Sequence, residues 1–151
     1  MRRVLYLLLL AGSLVAACRT NKKETSSAGP PAAGQVLTFG SGGGFTGAIT
    51  TYTLYPDGQL HRAKTFRDQP ELIARLDRKL TAGFFRKAED VLSRTGTFTH
   101  PGNQYFFVKL GAPEAVNDAQ NAATWGAAGY PAPAGLEAFY EELMQHTQVT
   151  H

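Results

Sequence analysis

Between Arg19 and Gln35 the chain carries no large apolar side chain, and this confines any fold to the residues after Gln35. The stretch reads RTNKKETSSAGPPAAGQ. Composition of this kind cannot bury enough surface to offset chain entropy, so residues 18–35 are expected to form a disordered spacer. As a flexible chain it would span roughly 20–25 Å. The core must then come from residues 36–147, with 148–151 as a tail. That is about 115 residues from Val36 to the end, enough for one domain and one core. The single cysteine, Cys18, precedes this segment. The domain can therefore have no disulfide and no thiolate metal site. Packing alone must hold it, and the chain's nine Phe and six Tyr, of which Tyr6 lies outside the domain, make that feasible.

Residues 1–17 have a different character. Arg2 and Arg3 precede an apolar run from Val4 to Ala17, broken only by Tyr6 and Ser13. The run is shorter than the roughly 20 apolar residues that a helix needs to cross a bilayer. Its length suits the hydrophobic part of a secretory signal. Val15-Ala16-Ala17 then leads directly into Cys18, a spacing that resembles the lipobox of bacterial lipoproteins. The resemblance implies diacylglycerol on the Cys18 sulfur, cleavage before Cys18 and acylation of the new amino terminus. Each buried CH₂ contributes about 0.8 kcal/mol, so two or three acyl chains anchor firmly where one does not. The expected location is a bacterial membrane surface, periplasmic or external. Arg19 after the cysteine favours the outer membrane where there are two.

Charge bounds the partners. The chain has 15 Lys+Arg against 12 Asp+Glu, and loss of Arg2 and Arg3 with the signal leaves 13 against 12. Nucleic-acid binding wants a concentrated positive face, and no basic run with interleaved aromatics comes after the spacer. No nucleic acid is expected as a partner.

Along the domain, Val36 to Phe39, Ala48 to Tyr55 and Gln59 to Lys64 are β-prone and read as a three-strand meander, with Pro56-Asp57-Gly58 as a turn. Asp68 or Gln69 with Pro70 suggests a helix start, and Leu72, Ile73, Leu76 and Leu80 fall at helical spacing. Gly83 is expected to break or kink that helix, and Phe84 to Leu92 to form a shorter piece. Residues 93–103 read as a loop. Gln104 to Leu110 alternates as a strand, with Phe106, Val108 and Leu110 on one face. Asn121 to Trp125 reads as the last strand, and Leu136, Phe139, Tyr140 and Leu143 as one face of a closing helix. The expectation is an α+β fold: an antiparallel sheet in βββ-α-ββ-α order, with helices packed on one face.

Gly42, Gly44 and Gly47 satisfy G-x-G-x-x-G, but the dinucleotide fingerprint needs a helix after the turn, and here a β-prone run comes next. No Lys-Ser/Thr is placed to make a phosphate loop. Two readings of Gly43-Gly44-Phe45-Thr46-Gly47 remain. One is a wide hairpin or bulge with Phe45 folded onto the core. The other is a recognition loop with accessible backbone and Phe45 as an apolar anchor for a partner's pocket. His61, His100, His146 and His151 are scattered without metal-ligand spacing, and no nucleophile–base or carboxylate pair stands out. Neither a metal, a cofactor nor catalysis is expected.

The order of features resembles emfourin, a small protein inhibitor of thermolysin-type metalloproteases, and related bacterial domains. The resemblance rests on the Gly43–Gly47 loop leading into a strand, the leucine-striped helix ending near Phe84-Phe85, the Tyr105-Phe106-Phe107-Val108 strand, the Trp125 strand and the closing Pro133 to Leu143 helix. It covers most of residues 36–146. The Pro56-Asp57-Gly58 hairpin, the 93–103 loop and the lipid anchor stand outside it. It implies a non-catalytic protein-binding domain that restrains a metalloprotease. An envelope protein, in a structural or assembly role, is the alternative partner.

Overall fold

The computed structural model describes residues 34–65, 67–112 and 121–148. The expected signal, Cys18, the spacer up to residue 33, the 113–120 segment, and residues 149–151 with His151 all lie outside the described residues.

Among the described residues the elements run β1 (Val36–Gly43), β2 (Ile49–Leu54), β3 (Gln59–Ala63), β4 (Glu71–Arg75), α1 (Arg78–Thr95), β5 (Phe98–Thr99), β6 (Gln104–Gly111), β7 (Ala122–Trp125) and α2 (Leu136–Gln145). The strands form one seven-stranded sheet in the order β4-β3-β2-β1-β6-β7-β5. The fold is α+β, and the three-strand meander, the 104–111 strand and the closing helix lie where the sequence puts them.

Three expectations are corrected. Residues 71–75 are a strand, not the start of a helix. Leu72, Ile73 and Leu76 suit a helix by spacing, but β3 offers an unpaired edge, and backbone pairing decides. β4 runs antiparallel along that edge, with a register shift between Leu60 and His61. Leu76 N–H then donates to the Gly58 carbonyl at 2.8 Å. The helix begins only at Arg78, where the Asp77 carboxylate accepts from the N–H groups of Lys79 (2.8 Å) and Leu80 (3.2 Å). Gly83 neither breaks nor kinks it into two pieces, because α1 continues through it to Thr95. Residues 93–103 are not all loop: the helix takes the first three, and β5 pairs in parallel with β7, which makes the sheet mixed rather than antiparallel throughout. The observed order is ββββ-α-βββ-α.

Alternation along the central strands sets the two faces of the sheet. Leu37 and Phe39 of β1 lie opposite Leu54 and Tyr52 of β2 and Leu110 and Val108 of β6. This face meets Phe84, Phe85 and Leu92 of α1 and Leu136, Phe139 and Leu143 of α2 in one core. Both helices thus pack on one face, as expected. Trp125 joins the core, edge-on to Tyr140 at 5.4 Å. The alternate positions, including Thr38, Thr51, Thr53, Tyr105 and Phe107, are half-buried on the opposite face. Among the described residues no helix is long and apolar enough to cross a membrane.

Candidate functional site

The glycine-rich segment is the connection of the β1–β2 hairpin. Pairing ends at Gly42 opposite Ile49, so residues 43–48 project beyond the ladder between β1 and β2. On the other side of β1, pairing with β6 continues to Gly43 opposite Gln104. Gly43 has φ +89°, and a Cβ there would collide with the Asn103 carbonyl oxygen. Only glycine meets both demands. Gly44 N–H donates to that same carbonyl at 2.6 Å, and Gly47 N–H closes a turn on the Gly44 carbonyl at 3.2 Å. The Thr46 hydroxyl accepts from Ala48 N–H at 3.4 Å. The loop is therefore short, bonded to the start of β6 and turned by its own glycines.

Phe45 is fully exposed at its tip. It does not fold back onto the core. On the helix side of β6, Phe106 is flanked by Trp125 at 5.8 Å and Tyr140 at 5.4 Å, and the Ser41 hydroxyl hydrogen-bonds the Tyr140 phenol. Burial pushes the Tyr140 hydroxyl above the ordinary tyrosine range, and the Ser41 bond partly opposes it. An exposed phenylalanine on a backbone-braced glycine loop can enter an apolar pocket with little ordering of the loop left to do.

Gly43, Gly44, Phe45, Thr46 and Gly47 are thus brought together as one projecting loop. Cys18 lies outside the described residues. No group of three or more His, Cys, Asp or Glu side chains is placed to hold a metal ion among the described residues. His61 is edge-on to Tyr55 at 5.2 Å, and His146 edge-on to Phe84 at 5.3 Å. Asp57 sits in the β2–β3 turn. The backbone N–H of Gln59 (3.0 Å) and then its side-chain amide (2.6 Å) hold the Asp57 carboxyl below its usual range.

No family model matches this chain, and no curated protein is significantly similar to it.

Sequence reasoning passed over one further feature near the hairpin. Tyr130 is 53% exposed, yet its ring stacks on His100 at 4.1 Å with 7° between planes. His100 meets Phe98 edge-on at 4.8 Å. A signal for Tyr130 was present: Gly129-Tyr130-Pro131 is an aromatic residue in a small-residue loop, the same layout as Phe45 among its glycines.

Proposed function

We propose that the protein is a lipid-anchored bacterial envelope protein, held through Cys18, whose folded domain is non-catalytic and restrains a thermolysin-type metalloprotease through the Gly43–Gly47 loop. Phe45 fills an apolar subsite of the protease cleft, and the glycine backbone beside it lies close enough to pair with cleft backbone. The single observation that supports this is the full exposure of Phe45 on a loop tied down by the Gly44–Asn103 hydrogen bond. A large apolar side chain presented to water on a braced tip has no role in the core, and such side chains are the usual anchors of protein interfaces. The resemblance to emfourin supplies the choice of protease class.

The test is inhibition of thermolysin by the full-length protein in detergent, wild type against Phe45→Ala. Wild type inhibits, and the variant is weakened at least tenfold. Equal potency of the two, or no inhibition by either, rules the mechanism out. In the second case a structural or assembly role in the envelope replaces it.

A further inference from the structure

The hairpin tip is not alone at its end of the sheet. Gly126, at the end of β7, is so close to β6 that a Cβ would collide with the Gln104 carbonyl oxygen. A Cβ on Gly102 would in turn collide with the Gly126 carbonyl oxygen. His100 N–H donates to the Thr124 carbonyl at 2.9 Å, and Ala127 N–H to the His100 carbonyl at 3.0 Å. The 43–47, 100–104 and 126–130 loops are thus locked together backbone to backbone, in the order of the strands that carry them. The 126–130 loop closes with Tyr130 N–H donating to the Ala127 carbonyl at 3.2 Å. Tyr130 is then braced from beneath by the His100 ring. The strands that lead into the two loops, β1 and β7, lie two spacings apart across β6, about 10 Å.

We infer that the part of this end formed by the loops of β1, β6 and β7 is one composite docking surface, with Tyr130 as a second anchor beside Phe45, and that it takes an uncharged apolar cleft of another protein. This rests on reading the Phe45 loop as a recognition loop, but not on the partner being a protease.

Charge argues for the occupant. Residues 43–48, 97–104 and 121–135 contain no Asp, Glu, Lys or Arg, and the charged Lys64, Arg67 and Asp68 of the β3–β4 connection stand at the same end on the other side of the hairpin, outside this patch. A charge on the partner would be buried here without a counter-charge, which is unfavourable. The matching surface is therefore neutral. Position argues as well. β1 enters the sheet at Val36 and runs eight residues to Gly43, so the chain towards Cys18 leaves from the opposite end, about 25 Å away. The point where the spacer joins the domain is therefore clear of the docking end.

The experiment places photoreactive p-benzoylphenylalanine at Phe45, at Tyr130 or, as a control, at Leu72 on the far edge strand, in the full chain within the cells that make it. Positions 45 and 130 are expected to cross-link to the same protein, and position 72 is expected not to. Peptide mapping is expected to locate both cross-links on uncharged apolar residues of that protein. Adding Phe45→Ala to the chain probed at 130 is expected to reduce its adduct at least tenfold. Different proteins at the two positions, cross-links on charged residues, an adduct at 130 indifferent to Phe45→Ala, adducts with lipid or with a second copy, or no adduct, would each overturn the inference. A shared partner that is not a metalloprotease leaves the composite surface standing and removes only the inhibitory reading.

Discussion

Phe45 and Gly43 are two residues apart and do opposite things. Phe45 touches nothing in the core, so its stability role is expected to be negligible and its effect confined to binding. Gly43 carries the hairpin: its φ of +89° and its closeness to the Asn103 carbonyl both exclude a side chain. Gly43→Ala is expected to cost about 1–3 kcal/mol, measured by urea unfolding, because the strained backbone and the forced separation from Asn103 act together. Tyr140 adds a pH dependence. Its hydroxyl titrates near 10.0 when unfolded and higher when folded, with burial as the main cause. The folded state therefore favours the neutral phenol, and this contribution is intact below pH 10 and lost as pH rises through the folded value. Tyr140→Phe is expected to flatten the alkaline fall in stability, read as unfolding midpoints between pH 8 and 11. A fall as steep as that of wild type would show that the phenol does not contribute.

At the scale of elements, the instructive segment is residues 71–95. Leu72, Ile73, Leu76 and Leu80 suit a helix by spacing, but Leu72 and Leu80 are exposed and no buried stripe runs through the four. The stripe that α1 does bury is Thr81, Phe84, Phe85, Ala88, Val91 and Leu92. Its N-terminus is set by Asp77, whose carboxylate caps the first free N–H groups, so the residues before it are released to pair with β3. Gly83 sits inside this continuous helix, and a Cβ there would meet nothing within 4 Å. Gly83→Ala is accordingly expected to raise stability by about 0.5–1 kcal/mol, since alanine loses less backbone entropy in a helix. A loss of stability on the same denaturant curve would mean that the glycine serves a bend after all.

For the whole molecule, stability comes from one core shared by the sheet and both helices. Phe139 is fully buried in it and meets Phe84 across the helix pair at 6.5 Å. Phe139→Ala is expected to cost about 3–5 kcal/mol in equilibrium unfolding, because the site cannot collapse around the space left. The ion pair between Lys87 of α1 and Glu142 of α2 is partly exposed and contributes at most about 1 kcal/mol. Lys87 also lies 5.7 Å from the Phe139 ring centre, so its stem and charge cover the rim of this core.

Local periodicity was enough for β6 and α2. The alternation from Gln104 to Gly111 and the i, i+3, i+4, i+7 spacing of Leu136, Phe139, Tyr140 and Leu143 each depend on residues close in the chain. Val108 and Leu110 of the strand and all four residues of the helix are buried on the faces those patterns mark. The glycine run likewise marked a hairpin connection, since few other residues tolerate its geometry. Three features needed distant partners. β4 is a strand because β3 presents an open edge. The two residues of β5 have no pattern of their own and exist by pairing with β7. Phe45 points outward because the loop that carries it runs beyond the last β1–β2 pair and is tied to the Asn103 carbonyl just before β6. Spacing along a chain records which side of an element is apolar, but whether that side finds room is settled only when the other elements are packed.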